Sequence, residues 1–397
     1  MALPSRIEAE FIINTPMFLG EADGLAANTI RPPSIKGALR FWWRALSWSR
    51  IRAASESDDR ALSKLHGEEV ALFGGSAKTI DDKPVGGQGC FLMNVSDQNN
   101  IKTSSDQSWC DKTQAIQYLL GMGLYHFKEG LLRKFLPEDG KFKLTIIFNK
   151  KASVEQKKQL EQSILAFSLF GGLGSRARKG FGSISLINYT ELESGSATAK
   201  NELIPKSIED YKQISNDLLS LMSLDNKPPY SAFSLHSSLN ISDTNSNSIK
   251  LLSRLGDEMA MYRSYGRNGK ALNKSAERNF IEDHDWAYSV ADGKRTEGIP
   301  KRSIFGLPHA YNLSGGGKPQ INDRRASPLI SHIHALPNGQ KLLINLVLKS
   351  VFLPEDKKIE VKSRSKLVIS DVDEKIDWTV LDNFLARFKD REVIHGK

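Results

Sequence analysis

Apolar residues along this chain follow two rhythms in turn. Residues 7–13, Ile-Glu-Ala-Glu-Phe-Ile-Ile, alternate and then run apolar, which predicts an opening strand that enters the core. Asn14-Thr15-Pro16 breaks the pattern. After a Gly/Asn-containing loop, helical spacing runs from Ile35 to about Arg52, led in by Pro32-Pro33 with Ser34 as the expected N-cap. A short helix is expected over Leu65 to Phe73, ended by Gly74-Gly75. Residues 76–112 are polar and glycine-rich around one strand-like patch, Cys90-Phe91-Leu92-Met93. Phe142 to Phe148 alternates and is β-branched, so it reads as a strand. Val154 to Phe170 reads as a helix that stops at Gly171-Gly172, and Ile184 to Ile187 as a further strand.

From Asn188 to about Pro229 the chain turns polar, which places a domain boundary near residue 200 and predicts two domains, residues 1–195 and 196–397. The second half repeats the mixture. A strand is expected near Phe233–Ile241, a helix near Ile249–Tyr265, strands around Leu329–His334, Lys341–Val351 and Lys357–Val361, and a last helix near Trp378–Lys389. Strands mixed with helices able to cover one sheet face make an α+β pattern. Ser34-Ile35-Lys36-Gly37 echoes Ser303-Ile304-Phe305-Gly306, each after a proline-containing stretch, which suggests a duplication.

Charge sharpens the picture. Fifty-five Lys and Arg against 46 Asp and Glu leave +9, a surplus that favours polyanionic partners, nucleic acid first. With 40% hydrophobic and 25% charged residues, disorder throughout is excluded. Two cysteines exclude a disulfide scaffold and a four-cysteine zinc site, and suit a reducing cytoplasm. No apolar run approaches the ~18 residues of a membrane span, and the first ten residues lack the apolar stretch of a signal peptide. A cytoplasmic protein without a membrane partner is expected.

Three constellations could carry chemistry. On the first helix, Lys36, Arg40 and Arg44 are spaced four apart and share a face, beside an apolar stripe of Leu39, Trp43 and Leu46. Phe41 and Trp48 belong to neither stripe and need another partner. The cations read either as a phosphate-tracking face or as a solvated basic face over an aromatic core. In the second, Phe170 to Gly182, five glycines bracket Arg176, Arg178 and Lys179, as a backbone that approaches phosphate closely would require. It is neither a Walker loop nor a dinucleotide fingerprint, and a flexible hairpin is the plainer reading. The third joins Arg302, within Pro300–Pro308, to Arg324 and Arg325 beside Asp323, where a backbone clamp competes with a structural ion pair.

Histidines add little. His332 and His334 share a strand face, and His284 sits in Glu282-Asp283-His284-Asp285, but no His-Glu-x-x-His or cysteine pair calls for a metal, and nothing calls for a cofactor. His66 and His126 are the candidate bases for RNA cleavage. No Ser/His/Asp or paired-carboxylate arrangement stands out.

Asn14–Gly20, Arg31–Arg44, Leu65–Gly74, the loop at 171–182, Ser303–Pro308 and Arg324–Pro328 together resemble the RAMP superfamily, the repeat-associated proteins of CRISPR systems. Within it they are most similar to a capping subunit of the type III-B effector complex. The resemblance implies two tandem ferredoxin-like (RRM-like) domains with insertions. It implies a non-catalytic RNA-binding part in antiviral defence, near the 3′ end of the CRISPR RNA and beside target single-stranded RNA, with other RAMP subunits as partners. Phosphate contacts are then expected from Lys36, Arg40, Arg44, Arg176, Arg178 and Lys179, extended by Arg302, Arg324 and Arg325. Relatives that process CRISPR RNA use a similar glycine-rich loop, usually with a histidine. His66 therefore keeps a metal-independent CRISPR-RNA-processing endoribonuclease open as the alternative.

Overall fold

Strand β1 (Arg6–Ile13) buries Ile7, Ala9, Phe11 and Ile13 on one face, as its alternation requires. It lies at the centre of an antiparallel sheet with β2 (Phe91–Asn99), β3 (Lys141–Phe148), β4 (Ile184–Glu193) and β5 (Ser196–Ala199), in the order β2-β3-β1-β4-β5. Helices α1 (Pro32–Ala53) and α4 (Val154–Phe170) pack side by side against it. Phe11 stacks on Phe142 at 5.2 Å and meets Phe167 at 5.9 Å, tying two strands to α4. The computed structural model describes residues 5–20, 26–80, 83–220, 222–266, 268–294, 298–311, 313, 319–354, 357–362, 367–369 and 372–396.

The second half repeats this plan. Strands β6 (Ser238–Asn245), β7 (Leu329–Ala335), β8 (Lys341–Val347) and β9 (Glu392–His395) form a sheet in the order β7-β8-β6-β9, with α6 (Ser248–Arg263) and α8 (Thr379–Leu385) between its strands in sequence. In each sheet the first strand sits between the third and the fourth, the ferredoxin-like β-α-β-β-α-β arrangement. Insertions decorate both halves. Helix α2 (Asp58–Phe73) and α3 (Gln114–Leu120) belong to the first, and α7 (Ile281–Ala291) and a small sheet of Leu307–Ala310, Gln320–Arg325, Ile359–Lys362 and Leu367–Ile369 to the second. The chain passes between the main sheets after β5, through α5 (Ile208–Leu219).

The two sheets share one core. Ile330, Leu342, Ile344 and Leu346 of the second lie in the same apolar cluster as Phe11, Trp43 and Phe167 of the first. A polar seam runs beside it. Asn14 Nδ2 donates to Ile333 O at 2.8 Å and to Ser185 Oγ at 2.8 Å, and the Ile333 amide donates to Ser183 Oγ at 3.0 Å. At Gly256, helix α6 passes α3 so closely that a Cβ would lie 2.3 Å from Ala115 O.

Several boundaries moved for local reasons. Helix α1 starts at Pro32, whose fixed φ suits the first turn, so Arg31 is the N-cap and Ser34 is not. Helix α2 starts seven residues before Leu65, at Asp58, because Ser57 accepts a hydrogen bond from the Arg60 amide. Strand β6 begins only at Ser238. Phe233, read as strand, instead crosses to α1, packing on Trp42 and Phe170 while its amide donates to Ala45 O at 3.0 Å. No helix among the described residues is long and apolar enough to cross a membrane.

Candidate nucleic-acid interface

The basic face of α1 exists, but it is not bare. Arg40 Nε and Arg44 Nη1 both donate to Glu69 Oε1, each at 2.6 Å. Glu69 is buried on α2, so the carboxylate missing from α1 arrives from the next helix. Lys36 lies one turn earlier in a hollow with Pro32, Arg40 and Phe73, where burial and then the Arg40 charge lower its pKa. The off-stripe aromatics find their partners in other segments. Trp48 packs edge-on to Tyr230 at 5.5 Å, and the Arg178 guanidinium lies 5.2 Å over Phe41. Trp43 is buried against Phe73, and its indole N–H donates to Gln159 Oε1 of α4 at 3.0 Å.

The glycine-rich loop is a fixed seam rather than a flexible hairpin. Gly182 N donates to Pro16 O at 2.9 Å, Leu173 N to Gly182 O at 2.9 Å and Ser175 N to Phe18 O at 2.8 Å. From the other half, Ser331 N of β7 donates to Arg178 O at 3.0 Å. Gly182 has φ +61°, and a Cβ there would lie 2.0 Å from Leu173 O. The amides of Leu173, Ser175, Lys179 and Gly182 are thus spent on the protein, while the loop's cations remain to meet a ligand.

Those cations converge. A groove of about 570 Å³ between the halves is lined by Arg176, Arg178 and Lys179 of the loop, Arg263 at the end of α6, and Arg325. Among the described residues, no Asp or Glu lines it. A second hollow of about 440 Å³ shares Arg178 and Arg325 and leads to Phe41, Arg44, His66, Glu69 and Tyr230. Arg178 donates to Ser327 O, and burial together with Arg325 draws its pKa down to about 10. Arg325 Nη2 donates to Ser350 Oγ at 2.5 Å and to Val351 O at 3.3 Å. Lys179 sits over the Tyr118 ring at 6.0 Å, and among the described residues its ammonium donates only to Leu119 O, at 3.4 Å. Burial, then Arg263 and Arg176, push its pKa down to about 7. Cations held together without carboxylates form a site that an anion would relax.

Arg176, Arg178, Lys179 and Arg325 are therefore brought together, with Arg44 one hollow away. Arg302 and Arg324 lie apart. Arg302 is buried, its Nε donating to Asp283 Oδ2 at 2.9 Å, and Asp283 also accepts from the amides of Lys301 at 2.7 Å and Arg302 at 3.0 Å. Asp323, the partner expected from proximity in sequence, instead lies 3.6 Å from Lys357. Arg324 is exposed and, next to Arg325 on a strand, takes the opposite side from the groove. Sequence reasoning missed Arg263, which closes an ordinary amphipathic helix and carries no motif.

The histidines divide. His332 Nδ1 donates to Gly171 O at 2.7 Å, and His334 Nδ1 lies 3.3 Å from Ser168 O. Both are buried in the seam, where desolvation drives their pKa down, that of His334 to about 4. His66 is exposed on α2 at the edge of the second hollow. His126 lies 3.4 Å from Glu129 on the short hairpin of Tyr125–His126 and Gly130–Leu131. No group of three or more His, Cys, Asp or Glu among the described residues could hold a metal.

Comparison with known proteins adds context. Residues 10–185 match the RAMP superfamily. A CRISPR system Cmr subunit, Cmr1-1 of Pyrococcus furiosus, is 24% identical over 369 residues, 89% of this chain and 87% of that one. The crystal structure of apo Cmr1 from Pyrococcus furiosus superposes with a TM-score of 0.57 at 19% identity, over 98% of this chain and 99% of that chain. A chain from a type III-B Cmr-beta complex bound to cognate target RNA gives a TM-score of 0.52 at 12% identity, over 97% of this chain and 99% of that chain.

Proposed function

We propose that this chain, which carries a RAMP-superfamily domain over residues 10–185 and has the Cmr1 fold throughout, is an RNA-binding, non-catalytic subunit of a type III-B CRISPR effector complex. The observation that carries the reading is the groove in which Arg176, Arg178, Lys179, Arg263 and Arg325 converge from both halves, with no carboxylate among the described residues on its walls. Such a surface attracts a phosphate backbone of any sequence, while Phe41 and Tyr230 in the adjoining hollow offer aromatic surface. The implied position is near the 3′ end of the CRISPR RNA, beside target RNA, with other RAMP subunits as neighbours. Lys36, Arg40 and Arg44 would continue the track along α1, and exposed Arg324 is free to meet a neighbouring subunit.

The test is a salt titration of the purified chain with labelled CRISPR-repeat RNA and unrelated single-stranded RNA, in EDTA. If the five groove cations and Arg44 each meet a phosphate, the slope of log affinity against log salt is about −4, from roughly −0.7 per contact. Affinity without salt dependence refutes the groove. Product size is read from the same samples, because His66 lies beside Arg44 and Arg178. A discrete cleavage product that is lost in His66→Ala would replace binding with the endoribonuclease reading.

A further inference from the structure

A third hollow, of about 370 Å³, opens beside the central groove and shares Arg263 with it. Lys270 and Arg302 supply its other cations, with Tyr118, Tyr265 and His309 among the remaining lining residues, and no carboxylate among the described residues lines it. Two of its guanidinium donors are orphans: Arg302 Nη2 and Arg263 Nε are both buried without a hydrogen-bond partner. Buried charged donors are rarely left unsatisfied, so a pair of them at one hollow marks the place of a missing acceptor.

The donors are also held in position. Arg302 is 8% exposed, fixed by Asp283 at Nε and by Arg263 O, 3.1 Å from Nη1. The Arg263 guanidinium lies 4.5 Å over the Phe305 ring. Lys270 stands exposed on a short hairpin with Lys274 and Ser275, able to reach in or swing away. His309 stacks on Tyr311 at 4.7 Å, and burial together with Arg302 and Arg263 pushes its pKa down to about 3. It therefore stands as a neutral imidazole, with one nitrogen to donate and one to accept.

We propose that this hollow seats the terminal phosphate of an RNA strand whose body lies in the central groove. The inference rests on the groove reading and adds an end to it. A phosphomonoester carries more charge and one more free oxygen than an internal diester, so it answers two fixed guanidinium groups and an ammonium better. The tyrosines and His309 then border the last nucleoside. A free nucleoside monophosphate offers the same chemistry from another source, and the test separates the two.

One single-stranded RNA sequence, labelled internally, is prepared with a 5′-phosphate, with a 3′-phosphate, and with hydroxyl at both ends, and binding to the full chain is measured at fixed salt. One phosphorylated form is expected to bind about tenfold tighter than the hydroxyl-ended RNA. Lys270→Ala should erase that gain and leave the hydroxyl-ended affinity at the wild-type value, and Lys270→Arg should keep the gain. Equal affinity of all three RNAs overturns the proposal even where the groove binds each of them with the expected salt slope. Stabilisation by 3′-AMP or 5′-AMP, lost in Lys270→Ala but with no preference among RNA ends, reassigns the hollow to free nucleotide and overturns the RNA end. If no RNA binds at all, the groove reading fails first, and the terminal-phosphate proposal falls with it.

Discussion

Glu69→Gln sets stability against RNA binding. The carboxylate accepts from Arg40 and Arg44 at 2.6 Å each and is itself almost fully buried. A hydrogen bond to a charged group contributes roughly 1.5–3 kcal/mol, which would make two of them substantial. The arginine side chains are 34% and 35% exposed, so water screens much of that. A net loss of about 2 kcal/mol is the reasonable expectation. The amide keeps the shape and an acceptor oxygen, so the change is chiefly one of charge, from a net +1 to +2 over the three side chains. The urea midpoint should therefore fall while RNA affinity rises, and the salt slope should steepen by up to about 0.7. Denaturation and RNA titration on one preparation read both. A fall in affinity alongside stability would mean that Glu69 aims the arginines rather than neutralising them. An unchanged slope would remove the α1 face from the RNA path.

Other outcomes follow from the groove. Arg178→Ala should weaken binding similarly across RNA sequences and flatten the salt slope by about 0.7, while unchanged affinity would remove Arg178 from the track. Lys179, with a pKa near 7 when free, must take up a proton to meet phosphate at alkaline pH. RNA affinity should then fall about tenfold from pH 6 to pH 8, and Lys179→Arg should abolish that dependence. The seam histidines act on folding instead. The His334 pKa in the fold, about 4, lies below its unfolded value of about 6.5, so its contribution is complete above pH 6.5 and lost as pH falls toward 4. That loss approaches ~3 kcal/mol, and urea midpoints at pH 7 and pH 4.5 should show it, with a shallower dependence in His334→Gln.

Much of the fold is written locally. Helix α4 has its start in a capping box, Ser153 with Gln156, and its stop in Gly171, so periodicity and punctuation agree. The shared face of Lys36, Arg40 and Arg44 likewise follows from spacing alone. What spacing could not supply is what arrives from elsewhere. Glu69 is 25 residues beyond Arg44, and Asp283 lies 19 residues before Arg302, on a helix with its own apolar pattern. The need of Phe41 and Trp48 for outside partners was legible, but not that Arg178 and Tyr230 would fill it. The glycine loop carries its cations openly in sequence. Its rigidity comes from Pro16, Phe18 and Ser331, which are remote in the chain or in the other half.

The bond from the Ser331 amide to Arg178 O has a consequence for how the molecule works as a machine. Neither half owns the groove: three of its cations come from the loop of the first and two from the second. An RNA lying across it would bridge residues of both halves at the seam where they share one core. Any local opening of that seam that weakens the grip must be less populated when RNA is bound, because coupling between two equilibria is reciprocal. Hydrogen exchange at the Ser331 amide is the gauge of that opening: saturating RNA should slow it, and a groove variant that no longer binds RNA should lose the slowing.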